Sequence, residues 1–146
     1  MLLKKIIMVL LVLMLLCSAG GSVSASDVVR VKEGANEVYS PRWSMIISVT
    51  NTLEINSNGN ASMAAYIAGR SGQVSSIRII STLQRYQSGS WVNVSSWTRN
   101  YSGSCAFWSA NQHVSSGYHY RLVNSFHVYG NGTQESTILV SPIKYY

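Results

Sequence analysis

Acid is scarce in this sequence. Five Asp and Glu occur in 146 residues, against eleven Lys and Arg. A hydrolase needs a base oriented by an acid, or two carboxylates held across a cleft. Asp27, Glu33 and Glu37 fall in one polar stretch near the N-terminus. Glu54 and Glu135 stand at a strand end and just past a hairpin turn, where a solvated carboxylate is expected. No carboxylate pair is set up for catalysis. Histidine is rarer still, with three residues. His119 and His127 share a parity on one strand, but eight extended residues separate them by about 26 Å, too far for one metal ion. His113 adds no His-x-His spacing and Cys-x-x-Cys is missing, so no zinc site is expected. A Gly-rich phosphate loop and Gly-x-Ser-x-Gly are missing as well. The expectation is a protein that is not an enzyme, with no catalytic residues, cofactor or metal.

Cysteine occurs twice, as Cys17 and Cys105. The first belongs to an export signal. Lys4 and Lys5 precede an unbroken apolar run from Ile6 to Leu16, followed by small residues and Val23-Ser24-Ala25. That is the charged, apolar and cleavage order of a secretory signal peptide over residues 1–25. The run is too short to span a membrane, which takes about 20 apolar residues. Val at −3 and Ala at −1 place the cut between Ala25 and Ser26. Leu16 is too large to precede a lipidated cysteine. With Cys17 removed, Cys105 stands alone, and the core of an exported, secreted or cell-wall-associated domain must hold without an internal bridge.

Removing 25 of 146 residues leaves 121, enough for one domain with a core. Nine basic and five acidic residues remain, a formal charge of +4. The basic residues are scattered from Arg30 to Lys144 with no run to track a phosphate backbone, which speaks against a nucleic-acid partner.

What the chain does have is short β-like runs broken by turns. Residues 26–42 read as a polar lead-in with an edge strand near Val28–Val31, and 43–146 as the folded domain. Met45–Leu53 is β-branched and ends at Asn56-Ser57-Asn58-Gly59-Asn60. Ala61–Ala68, Val74–Tyr86, Trp91–Trp97, Ser104–Ala110, Tyr118–Tyr129 and Thr133–Val140 follow, with Asn131-Gly132 as a strong hairpin signal. About seven strands at this spacing, with no amphipathic helix, predict an all-β, antiparallel sandwich of immunoglobulin/fibronectin type. Tyr120, three residues after the Gly117 corner, is the expected tyrosine corner, whose hydroxyl pins the crossover to upstream backbone.

The aromatic residues are the expected binding equipment. Trp91 and Trp97 share strand parity, so one hairpin face could present both, with Val92 and Val94 on the other. Rigid Trp and Tyr offer large contact area at low entropy cost. His119 and Arg121 fall with Ser125 and His127 on the polar face of their strand, opposite Tyr120, Leu122 and Phe126. Trp91, Trp97, His119 and Arg121 are thus the candidate binding residues. Cys105 is expected to be a buried small hydrophobe.

Ile77-x-Ile79, Leu83-Gln84-x-Tyr86, Gly89-Ser90-Trp91-Val92-x-Val94 and Trp97, then Val114 to Arg121 and Glu135-Ser136, resemble a family of small secreted proteins from Gram-positive, mainly clostridial, bacteria, a domain of unknown function. The resemblance spans roughly residues 40–141 and is most specific over Leu83–Trp97. It implies bacterial secretion and a β fold, and no activity or site residues. Two functions fit these features best, a secreted, non-catalytic binding or surface-associated module for a protein or glycan, and a membrane-active, bacteriocin-like protein built of alternating hairpins, with a hydrolase third.

Overall fold

The computed structural model describes residues 43–146; the signal peptide, the cut at Ala25 and Ser26 and the lead-in lie outside them. The regular elements within this range are all strands: β1 (Ile46–Ile55), β2 (Asn60–Gly69), β3 (Ser76–Gln87), β4 (Ser90–Ser102), β5 (Cys105–His113), β6 (His119–Gly130), β7 (Thr133–Val140) and β8 (Lys144–Tyr145). They form two antiparallel sheets, β1-β2-β5 and β4-β3-β6-β7. Short β8 pairs with β6 at His119 and Tyr120, beyond the stretch that β7 pairs. The fold is the expected antiparallel β-sandwich of immunoglobulin/fibronectin type. β8 is the strand with no expectation behind it, since two residues after Pro142 carry no periodicity.

Alternation builds the core. β3 turns Ile77, Ile79 and Leu83 inward, and β6 turns Leu122, Phe126 and Val128 inward beside them. Leu53, Met63, Ile67 and Trp108 meet them from the smaller sheet. Two of the hairpins are two-residue turns with positive φ at both positions, Ser88-Gly89 (52° and 83°) and Asn131-Gly132 (50° and 72°). These twist with the strands they join, which is why such turns favour Asn and Gly.

Tyr120 is almost fully buried, and its hydroxyl donates to the Ser115 carbonyl at 2.7 Å. A tyrosine at the start of β6 bonding five residues back is the tyrosine-corner arrangement. Deeper in, a polar line crosses the apolar core. Asn124 and Ser81 are fully buried, and Asn124 Nδ2 donates to Ser81 Oγ at 2.6 Å. From the opposite sheet, Asn51 Nδ2 donates to Asn124 Oδ1 at 3.0 Å and to the Leu139 carbonyl at 3.2 Å. Each partner left alone would strand a buried polar group.

Glu135 corrects the expectation of a solvated carboxylate. It accepts from the backbone N–H groups of Ser44, Met45 and Ile46 at 2.8 to 2.9 Å, and from the Ser44 hydroxyl at 3.2 Å. One side chain of β7 thereby holds the chain entering β1. Burial alone would push this carboxyl up, but those N–H and O–H donors outweigh it and hold it below its ordinary value. Glu54 instead pairs with Lys144 at 3.0 Å.

Two outcomes follow for stability. Asn124→Ala, which opens a void and takes from buried Ser81 its amide partner, should lower the unfolding free energy by about 2–4 kcal/mol in urea titration; a loss below about 1 kcal/mol would mean water takes over the network. Glu135→Gln should cost about 1–2 kcal/mol at neutral pH, since the side chain is only partly buried. Because the folded carboxyl is depressed, its contribution is present above the unfolded glutamate value near ~4.3 and lost as pH falls through the folded value. The gap between wild type and Glu135→Gln should therefore close as the solution is acidified below that range.

Candidate functional site

A bulge in β4 decides which tryptophan can meet a ligand. Leu83 of β3 pairs with Ser95, but the next residue, Gln84, pairs with Asn93, so Val94 is an extra residue in β4. Such an insertion reverses the facing of everything beyond it. Trp97 pairs with the core residue Ser81 and packs inward, its ring 5.4 Å from that of Trp108. Trp91 pairs with Tyr86 on the opposite, outer face. The expected shared face for Trp91 and Trp97 is thereby corrected, and Trp97 leaves the candidate set. Val92 and Val94 are partly exposed at this edge instead of forming a buried face.

Trp91, His119 and Arg121 do come together. Their sheet carries on its outer face a row of rings across four neighbouring strands. Trp91 on β4 faces Tyr86 on β3, with ring centres 5.3 Å apart. Arg85 pairs with Tyr120, so the next residues outward, Tyr86 and His119, lie side by side. His119 pairs with Tyr145 of β8, ring centres 5.0 Å apart. With strands about 4.8 Å apart, the row is about 14 Å wide. Tyr86 is 43% exposed and Tyr145 67%.

The row behind it is polar and bonded. Arg121 Nε donates to Gln84 Oε1 at 2.8 Å, and Gln84 Nε2 donates to Asn93 Oδ1 at 2.9 Å. The Arg121 guanidinium lies 4.2 Å from the centre of the Trp91 ring. Held by Gln84 at Nε and by the ring on its face, it is a positioned cation with a low entropy cost on binding. Arg85, on the inner side at the same end, stacks instead on Tyr118 at 4.4 Å and takes no part in the outer face.

Ser125 Oγ lies 3.0 Å from His127 Nε2 on the outer face. Glu54 and Glu135, the carboxylates among the described residues, are committed to Lys144 and to Ser44–Ile46. No group of three His, Cys, Asp or Glu among the described residues could hold a metal. No helix there is long and apolar enough to cross a membrane. Cys105 is half-buried on β5. The expectation of a buried small hydrophobe is corrected, because its side chain points outward from β5 beside the Tyr66 hydroxyl, 4.0 Å away.

The sequence reasoning missed Tyr86, Tyr145, Gln84 and Asn93. Tyr86 was within reach, since the two-residue turn at Ser88-Gly89 dictates that residues 86 and 91 face each other. Tyr145 was not, because β8 leaves no signal.

No family model matches the chain, and no curated protein matches it. Among solved structures it is similar to R. palustris CsgH, at 11% identity and a TM-score of 0.36, over 63% of this chain and 91% of that one. A protein from Archaeoglobus fulgidus is similar at 11% identity and a TM-score of 0.35, over 68% and 94%. Likeness at this level says nothing about what either surface of this sandwich does.

The placement of the tryptophans has a direct consequence. Trp97→Ala, which removes a half-buried ring packed against the core, should destabilise the fold by about 2–3 kcal/mol. Trp91→Ala should cost under about 1 kcal/mol yet remove most of the emission that iodide can quench. Equal stability losses for the two variants would contradict the opposite facing of the rings.

Proposed function

We propose that this is an exported, non-catalytic binding module that takes a glycan or protein ligand on the aromatic end of its larger sheet. The observation that carries this is the row Trp91, Tyr86, His119 and Tyr145, backed by the bonded line Arg121, Gln84 and Asn93. Rings of this kind fill no core, since they lie on the face turned away from it. Exposed Trp and Tyr on a rigid sheet, with amides and a guanidinium beside them, match the make-up of binding hot spots. Export rests on the charged, apolar and small-residue order of residues 1–25, and it puts the module outside the cytoplasm, free or at the cell envelope. Among the described residues no carboxylate pair exists and no acid orients the Ser125–His127 contact of 3.0 Å, since both glutamates are engaged elsewhere, which supports binding without turnover.

Tryptophan fluorescence of the exported protein, titrated with cell-wall fragments, soluble glycans and anionic liposomes, tests this. A saturable shift with one ligand class is expected, weakened more than about tenfold by Trp91→Ala and unchanged by exposed substitutions on the β1-β2-β5 sheet. Release of dye from the liposomes would favour membrane activity instead. Flat titrations throughout would remove the binding reading.

A further inference from the structure

The outer face of the β4-β3-β6-β7 sheet has a second end that mirrors the first. Arg78 on β3 lies 5.9 Å from the centre of the Tyr129 ring on β6, and its Nε donates to Asn100 Oδ1 at 3.0 Å. At the first end Arg121 lies over Trp91, and its Nε donates to Gln84. In both cases an amide oxygen on the neighbouring strand takes Nε, and an aromatic ring lies against the guanidinium face. The terminal nitrogens, the fork that grips a carboxylate in two places, are left as the recognition edge. Arg78 pairs with His127 and Gln84 with Arg121, so six residues of strand, about 20 Å, separate the two ends.

Among the described residues, formal charge on this face has one sign. Arg78, Arg121, His119 and His127 lie on it, and neither Glu54 nor Glu135 does, since both carboxylates serve the sandwich edges. Over the described residues, five arginines and one lysine stand against those two glutamates, a formal +4. Between the arginines the floor is shallow and mixed. Thr82 and Ser125 offer hydroxyls, Ile80 and Val123 offer methyl groups, and Thr82 bonds to Ser96 at 3.1 Å.

Resting on the reading of this face as the binding surface, we infer that its ligand is a linear acidic polysaccharide, a uronic-acid polymer lying along the strands from Trp91 to Tyr129. Two anchored cations about 20 Å apart select a stiff chain with repeated carboxylates over a compact ligand. Pyranose rings present apolar C–H faces and hydroxyl edges together, which suits flanking aromatic rings and a floor of alternating hydroxyl and methyl groups. A nucleic acid would want a continuous basic track along its backbone, and two arginines about 20 Å apart do not make one.

Isothermal titration of the exported protein with a long oligogalacturonate tests this, beside galacturonate dimer, a neutral cello-oligosaccharide, single-stranded DNA and phosphatidylglycerol vesicles. Binding of the long oligomer is expected, with the dimer at least about tenfold weaker because it cannot reach both ends. Arg78→Gln and Arg121→Gln should each weaken it about tenfold, whereas Arg99→Gln, which removes the same charge away from this face, should not. Thermal unfolding of each variant checks that the fold persists. Equal binding of the neutral oligosaccharide, untouched by Arg78→Gln and Arg121→Gln but lost in Trp91→Ala, would overturn the acidic ligand and leave the binding module standing. Preference for DNA or for vesicles would overturn the inference as well. Binding of none of these probes would count against both.

Discussion

The hydrogen bonds of Asn124 hold β6 in a single register, and most of what lies above and below the larger sheet follows from that register. Side chains alternate along a strand, so a slip of one residue would send His119, Arg121 and His127 into the core and Leu122, Phe126 and Val128 into water. Three contacts oppose the slip. Tyr120 is tied to the Ser115 carbonyl at one end of the strand, and the Asn131-Gly132 turn fixes the other. In the middle Asn124 reaches Ser81 beside it and Asn51 across the sandwich. An apolar residue at 124 could pack in several ways, whereas an amide with buried partners has one arrangement that satisfies them.

The same sheet uses a local irregularity for the opposite purpose. Where β3 and β4 pair around Val94, alternation is broken by one residue. The inner end of β4 can then give Trp97 to the core against Trp108 while its outer end gives Trp91 to the surface. Bulges re-aim side chains near sheet edges, and β4 is an edge strand. Without the extra residue Trp91 would point to the core side of the sheet, and the aromatic row would lack its outermost ring.

Charge is spent sparingly and with a division of labour. Both glutamates of the described domain stabilise its edges, Glu135 by collecting the N–H groups at the entry to β1 and Glu54 by pairing with Lys144. That leaves the outer face of the larger sheet with arginine and histidine and, among the described residues, no opposing carboxylate. Two of its arginines are held by an amide on one side and an aromatic ring on the other, so their side chains are largely ordered before any ligand arrives. Preorganisation of this kind raises affinity by lowering the entropy lost on binding.

Sequence alone determined the class of this protein. The turn clusters, the alternation of β6, the Asn131-Gly132 hairpin and the position of Tyr120 after Gly117 are local signals, each readable because backbone preference and side-chain period act over a few residues. The scarcity of acid and the absence of catalytic spacings are equally local facts. Placement of His119 and Arg121 on the solvent side came from the same alternation. Only the tertiary structure decided the rest. A bulge is a property of two paired strands, so no count along β4 alone could separate Trp91 from Trp97. The role of Glu135 depends on a segment about ninety residues away in sequence. Tyr145 joins the aromatic row through a two-residue strand that exists because β6 offers it a partner. Local propensity chooses strands and turns, but pairing between distant segments chooses which side chains meet.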